Sequence, residues 1–110
     1  MKSCSYKVQF MQKKSKDIIS CASTLKVLAD ETRLEIVEQL LQGPKHVGEI
    51  NLKIQIEQSL LSHHLKILRD SGLVTSQRDG KSVLYSLAQE VENTKSKKAV
   101  DLGCCLISFN

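Results

Sequence analysis

The stretch QSLLSHHLKILRDSGLVTSQRDGKSVLYSL, residues 58–87, changes its hydrophobic period half-way along. In its first half the leucines recur at steps of three and four, at Leu61, Leu65 and Leu68. This spacing is typical of an amphipathic helix, and Gly72 is placed to end it. In the second half apolar and polar residues alternate on both sides of Asp79-Gly80, a dipeptide that favours a two-residue hairpin turn. The stretch therefore predicts a helix followed by a β-hairpin.

Two further helices are predicted upstream. The first has an apolar stripe that begins after Asp17 and ends near Ala29. Its members are Ile18, Cys21, Ala22, Leu25 and Leu28. The second helix follows Asp30, which is a good N-cap residue. We expect it to end at Gly43 and Pro44, because proline cannot continue a helix.

Between these helices and the opening stretch lies a short helix at residues 49–53. A tight turn at Gln55-Ile56 joins it to the longer helix, which we expect at residues 57–70. Two such helices joined by so short a turn are typical of a helix-turn-helix. With the hairpin added, the order of elements predicts a mainly α fold with a β-hairpin wing, a winged helix-turn-helix.

The chain has 110 residues, which is enough for one domain. We expect a flexible basic arm at residues 1–14 and the winged domain at residues 15–88. The remaining residues, 89–110, form a C-terminal segment to which we assign sensing or dimer contacts. The sequence leaves open whether that segment is a strand or a helix.

Charge and composition narrow the classes of function. The net charge is +4 and the pI is about 8.9, which favours a polyanionic partner. No apolar run approaches the roughly 20 residues of a membrane span, and residues 1–16 lack the apolar core of a secretory signal. We therefore expect a cytoplasmic protein with no membrane partner, whose four cysteines are reduced. They form no CxxC pair, which argues against a structural zinc knuckle.

The longer helix carries residues suited to reading DNA on the face opposite its leucines. They are Gln58, Ser59, Ser62, His63 and Lys66. These side chains form hydrogen bonds with base edges, and none is negatively charged. Arg78 and Lys81 flank the hairpin tip, where a wing contacts the phosphate backbone. The pattern predicts binding to double-stranded DNA, although a solvated surface would have a similar composition.

Catalysis is not expected. All three histidines lie between residues 46 and 64, and the chain has neither a Gly-rich phosphate loop nor a carboxylate cluster with metal-ligand spacing. An alternative outside catalysis is a protein-interaction module that no longer binds DNA. The cations Lys66, Arg78 and Lys81 argue against it.

Three motifs make the chain recognisable. They are LKVLADETRLEIVEQL at residues 25–40, QSLLSHHLKILRDSGLV at residues 58–74 and RDGKSVLYSL at residues 78–87. In these motifs the sequence resembles the ArsR/SmtB family of bacterial regulators. The resemblance implies a homodimeric, cytoplasmic repressor that binds operator DNA and leaves it when an inducer binds. The chain departs from the family at Glu57, where Ser or Thr is usual, and at Gln55, where Gly is favoured.

The metal sites of the family can be checked by position. One class places two cysteines in a motif ELCVxDL, and the matching stretch here is PKHVGEI, residues 44–50. His46 occupies one cysteine position and the other cysteine is missing. A second class uses C-terminal histidines, and this chain has none after His64. Zinc sensing of this second kind is therefore not expected. His64 is interpreted as a packed, hydrogen-bonded residue, and His46 stays open as a less favoured ligand.

The adjacent pair Cys104 and Cys105 remains as the candidate sensor. Arsenite and antimonite are soft ions that bind about three thiolates, and softness selects cysteine over histidine or carboxylate. Some members that this chain resembles hold arsenite through such a pair and a third cysteine. Here the third ligand is Cys21 or Cys4. We expect no obligatory cofactor, only As(III), Sb(III) or another soft metal ion as inducer.

Two other interpretations of the pair stay open. Free cysteines are commonly buried, so the pair and Cys21 could simply pack, and in a strand only one of the adjacent pair would face inward. Alternatively the cysteines form a switch that responds to oxidants or reactive sulfur through a disulfide, which requires an exposed thiol of low pKa.

Overall fold

The computed structural model describes residues 6–10, 15–92 and 98–109. Its four helices are α1 (Ser15–Leu28), α2 (Glu31–Leu40), α3 (Val47–Ile54) and α4 (Gln58–Asp70). Its strands are β1 (Tyr6–Phe10), β2 (Lys45–His46), β3 (Val74–Asp79), β4 (Ser82–Leu87), β5 (Ala99–Asp101) and β6 (Cys105–Phe109). A 3₁₀ turn lies at Gln89–Val91. The winged helix-turn-helix is confirmed.

The start of α2 is capped as expected. Asp30 has an extended backbone, and its Oδ1 accepts a hydrogen bond from the Arg33 backbone N–H at 3.0 Å. That bond satisfies one of the donors that a helix N-terminus leaves unpaired.

The turn between α3 and α4 forms despite its two unusual residues. Gln55 has φ +58°, in the left-handed region that favours glycine. The Asn51 side chain holds the turn: its Nδ2 donates to the Ile56 carbonyl at 2.9 Å, and its Oδ1 accepts from the Ile56 N–H at 3.0 Å. Glu57 stands at the N-cap of α4 without a side-chain hydrogen bond to the helix, because its side chain is longer than Ser or Thr and reaches the first amides less well.

The wing is a three-stranded sheet in the order β2-β4-β3. The predicted two-residue hairpin is confirmed, but its position is one residue later than Asp79-Gly80. Asp79 pairs with Ser82, so the loop residues are Gly80 and Lys81. Gly80 takes φ +64° at the first loop position, where a hairpin turn needs a glycine.

The remaining strands form a second sheet in the order β1-β6-β5. The C-terminal segment is therefore a β-hairpin, which answers the question that the sequence left open. The expectation of a flexible arm is wrong for residues 6–10, because β1 pairs antiparallel with β6 from Tyr6↔Phe109 to Phe10↔Cys105. This pairing satisfies backbone groups along the second edge of β6. Residues 1–5 and 11–14 lie outside the described part.

The core is continuous from the helices to the C-terminal hairpin. Its fully buried members include Ile36, Ile50, Leu61, Leu65, Leu68, Val100 and Ile107. Val100 and Ile107 come from β5 and β6, so the C-terminal segment packs on the same core as the winged domain. In the described part of the chain no helix has the length and apolar composition needed to cross a membrane.

Candidate functional site

Three cysteines meet where α1 packs against the C-terminal hairpin. Cys21 lies on α1, Cys104 in the turn before β6, and Cys105 is the first residue of β6. Cys21 and Cys104 form a disulfide with their Cα atoms 6.0 Å apart, so the expectation that all four cysteines are reduced is wrong for this pair. Cys105 is a free thiol whose Sγ lies 3.6 Å from the Cys21 Sγ. All three sulfur atoms lie within 4.8 Å of one another, and we call these residues the thiol cluster.

The thiol cluster is buried. Cys21, Cys104 and Cys105 expose 5%, 6% and 0% of their surface. The expectation that only one of the adjacent pair would be buried is wrong, because Cys104 precedes the strand and does not obey its alternation. Leu25 and Leu102 pack against the cluster and also against the main core. The thiol cluster is therefore in contact with the core through these two leucines.

The free thiol of the cluster is held in its protonated form. Burial raises the pKa of Cys105 above its ordinary value of 9.0, and the negative charge of Asp101 raises it further. Asp101 is fixed in the turn because its Oδ1 accepts the Gly103 N–H at 2.8 Å. The low-pKa, exposed thiol that a fast-reacting redox switch requires is not Cys105.

The donor set of the cluster fits a soft ion. Three sulfur ligands with no oxygen or nitrogen ligand among them select thiophilic ions. The disulfide and a bound ion exclude each other, because the disulfide occupies two of the three sulfurs. Among the described residues this is the one group of three or more His, Cys, Asp or Glu close enough to share an ion. Of the two candidate third ligands, Cys21 is in the cluster and Cys4 lies outside the described residues.

The residues predicted to contact DNA are all exposed. Those on α4 are Gln58, Ser59, Ser62, His63 and Lys66. They lie away from the buried stripe of Leu61, Leu65 and Leu68, as predicted. Lys66 forms a surface ion pair with Asp70 at 3.0 Å, which a phosphate can replace. At the wing, Arg78 and Lys81 flank the hairpin tip and are exposed too. Two elements thus present donors to solvent, as a groove-reading helix and a phosphate-contacting wing require.

His46 is not available as a metal ligand in this structure. Its Nε2 lies 2.7 Å from Asp79 Oδ2, and its Nδ1 lies 3.0 Å from Glu49 Oε1. These bonds, with the Asp79 bond the larger cause, raise the pKa of His46 above its ordinary value of 6.5. The link from α3 to the wing was missed from the sequence. The one local signal for this link is the three-residue spacing of His46 and Glu49, which is the spacing of a capping box. In the structure Glu49 accepts the His46 backbone N–H at 2.9 Å, as that motif requires.

Comparison with known proteins identifies the family. The profile described as "Bacterial regulatory protein, arsR family" matches residues 30–76. The transcriptional activator HlyU of Vibrio cholerae is 34% identical over 92 residues, which cover 84% of this chain and 82% of HlyU. The chain belongs to the arsR family of bacterial regulatory proteins. The resemblance inferred from the three motifs is confirmed.

The arsR assignment is supported by further relatives. The solved structure of reduced HlyU from Vibrio cholerae matches with a TM-score of 0.66 and 34% identity, over 79% of this chain and 87% of that one. The regulator NmtR of Mycobacterium tuberculosis is 48% identical over 66 residues, 60% of this chain and only 55% of NmtR. The arsenical resistance operon repressor of Staphylococcus xylosus is 35% identical over 88 residues, 76% of this chain and 85% of that repressor. These relatives are transcriptional regulators.

Proposed function

We propose that this protein is a homodimeric, cytoplasmic repressor that leaves its operator when arsenite or antimonite binds to Cys21, Cys104 and Cys105. The observation that carries the proposal is the convergence of three buried sulfur atoms within 4.8 Å. Packing alone does not require three thiols to meet, whereas a three-coordinate soft ion does. The similarity to the Staphylococcus xylosus arsenical resistance operon repressor supports the same inducer class.

In the proposed DNA complex, each protomer inserts α4 into the major groove. Ser59, Ser62 and His63 face base edges, with Gln58 and Lys66 beside them, and Arg78 and Lys81 of the wing contact phosphates. Two protomers would place their recognition helices about one DNA turn, roughly 34 Å, apart on a palindromic site.

Induction starts at the contact between α1 and the C-terminal hairpin. An ion bound by Cys21, Cys104 and Cys105 draws α1 and the turn before β6 into a fixed relation. Leu25 and Leu102 transmit the displacement of α1 and of this turn to the core, because each leucine contacts both the thiol cluster and the core. The ion needs to favour the released form by only about 1–3 kcal/mol to change operator affinity measurably.

Titration of the reduced protein on a labelled operator fragment, without oxygen, tests the proposal by fluorescence anisotropy. We expect near-stoichiometric arsenite to release the wild type. Cys21→Ser, Cys104→Ser and Cys105→Ser are expected to bind the operator and to be no longer released by stoichiometric arsenite. Ser23→Ala, on the exposed side of α1, is the matched control and is expected to respond normally. A wild type that stays bound at excess arsenite contradicts the proposal.

A second candidate function has its own observation, the Cys21–Cys104 disulfide. In this version an oxidant such as a hydroperoxide takes two electrons from the two thiols and is reduced to an alcohol and water. The existence of a solved reduced form of HlyU, a relative of this chain, supports a redox response. Cys105→Ser separates the two candidates, because it removes an ion ligand and leaves both disulfide partners. Release of both the wild type and Cys105→Ser by peroxide, together with a wild type that arsenite leaves on the operator, favours the redox switch.

A further inference from the structure

Arg33, in the first turn of α2, connects three elements of the domain. Its Nε donates to the Val27 carbonyl in the last turn of α1 at 2.7 Å. Its Nη1 lies 3.3 Å from Nδ1 of His64 on α4, and its Nη2 lies 3.8 Å from Asp30 Oδ2. The side chain is only 16% exposed, so water does not readily replace these partners.

The chemistry of arginine makes this connection rigid. A guanidinium is planar, always charged, and can only donate hydrogen bonds. His64 must therefore accept at Nδ1 and carry its proton at Nε2. Because one planar group holds both the Val27 carbonyl and the His64 ring, a shift of α1 relative to α2 changes the position of His64.

Arg33 lies between the two regions to which we assign function, the thiol cluster and the recognition helix α4. Val27 follows Cys21 by six residues on α1, a rise of about 9 Å along one helix. His64 is next to His63 on α4, the helix whose opposite face we assign to DNA. A short path of covalent and hydrogen-bonded groups thus runs from the thiol cluster to the recognition helix.

We infer that Arg33 is a positioning residue that couples α1 to the recognition helix through His64. It holds α4 in the orientation that binds DNA, and it carries a displacement of α1 to that helix. The second role rests on the proposed function, which supplies the displacement. The first role does not depend on it.

Variants of Arg33 can be made without removing the cap of α2. Asp30 accepts from the Arg33 backbone N–H, which a side-chain substitution leaves in place. Arg33→Met removes all side-chain donors. Arg33→Lys keeps the charge but lacks the planar fork, so its single ammonium cannot reproduce both contacts. Either variant therefore tests the coupling, and the lysine variant serves if the methionine variant folds poorly.

The decisive experiment is a double-mutant cycle of Arg33→Met and His64→Leu, read as operator affinity by fluorescence anisotropy. We expect each single variant to weaken binding about three- to thirtyfold, and the double variant to be no weaker than the worse single one. His64→Gln, whose amide oxygen can accept from Arg33, is expected to restore most of the affinity. Lys26→Met, exposed on α1, is the control for the loss of one positive charge.

The second readout is the ratio of operator affinities without and with arsenite, which a purely structural role would not change. We expect this ratio to fall towards one in both single variants. Additive single effects, or an Arg33→Met variant with wild-type affinity and ratio, overturn the inference. A wild type that ignores arsenite and peroxide contradicts the proposed function instead, and the affinity cycle still decides the Arg33–His64 link.

Discussion

The Sγ atoms of Cys105 and Cys21 lie 3.6 Å apart although 84 positions separate these residues in the chain. Cys105 is thus a free thiol beside a disulfide that already uses Cys21. Exchange between that disulfide and Cys105 would require the thiolate, which is the attacking form, so the protonation of Cys105 limits it.

Alkylation of Cys105 in the oxidised protein is expected to be slow at neutral pH and to accelerate as the pH rises past about 9. The reason is that burial, and then the charge of Asp101, raise the pKa of this thiol above 9.0. Asp101→Asn is expected to accelerate the reaction, since an amide lacks the charge yet still accepts the Gly103 N–H. Iodoacetamide labelling followed by peptide mass spectrometry measures both rates. Equal rates in the two proteins would show that the charge of Asp101 does not act on the thiol.

Reduction of the Cys21–Cys104 disulfide is expected to lower the free energy of unfolding by about 2–4 kcal/mol. The bond joins residues 83 positions apart, so it restricts the unfolded chain strongly. Urea unfolding with and without reductant measures the difference. Cys105→Ser is the matched control, and we expect its free energy of unfolding to fall on reduction as in the wild type. Cys104→Ser is expected to show no such fall. If reduction still lowers its free energy of unfolding, Cys105 replaces Cys104 in the disulfide.

The link between His46 and its two carboxylate partners, Asp79 and Glu49, is expected to stabilise the protein mainly on the acidic side of neutrality. The pKa of His46 is raised above 6.5 by its bonds to Asp79 and Glu49. Its stabilisation is therefore present below pH 6.5 and is lost as the pH rises through the higher folded-state pKa. The pKa of Glu49 is lowered below 4.5, mainly by the His46 backbone N–H, so its own contribution is lost in stronger acid.

Thermal unfolding of His46→Gln at about pH 6 and about pH 9 measures this effect. We expect a lower Tm than wild type at the acidic pH and a much smaller difference at the alkaline pH. Asp79→Asn is expected to behave in the same way, whereas His63→Gln, exposed on α4, is the control for the loss of an imidazole. A difference that grows towards alkaline pH would contradict the assigned link.

Gln55→Gly is expected to stabilise the helix-turn-helix by about 1 kcal/mol, because glycine adopts a left-handed backbone without the steric cost of a side chain. The φ of +58° at Gln55 places it in that region. For a domain of this size the Tm should rise by about 4–8 °C. Differential scanning calorimetry measures the shift. Gln55→Ala keeps a Cβ and is expected to show no comparable gain, and equal gains in both variants would contradict the backbone explanation.

Most of the winged fold could be predicted because its signals are local. The leucines of α4 lie within two turns of one another, and the cap of α2 needs only Asp30 and the amide three residues later. The hairpin was found from one dipeptide and the alternation around it. Even there the loop position was one residue off, since the register depends on which residue pairs with Asp79 across the strands.

The candidate site could be predicted only in part. Cys104 and Cys105 attract attention as neighbours in the sequence, but the choice between Cys4 and Cys21 as their partner cannot be made from spacing. That choice follows from the C-terminal hairpin packing against α1. Likewise, β1 could not be recognised as a strand, because its partner β6 lies about a hundred residues further along the chain.

The sequence by itself determined the four helices, the wing hairpin, their order and the exposed face of α4, since each depends on residues a few positions apart. Only the tertiary structure decided which distant groups meet. Cys21 meets Cys104 and Cys105, His46 meets Asp79, and Arg33 meets His64. The physical reason is that hydrophobic burial is not directional and fixes which faces turn inward. Individual contacts between distant residues follow from how those faces pack, which no local pattern encodes.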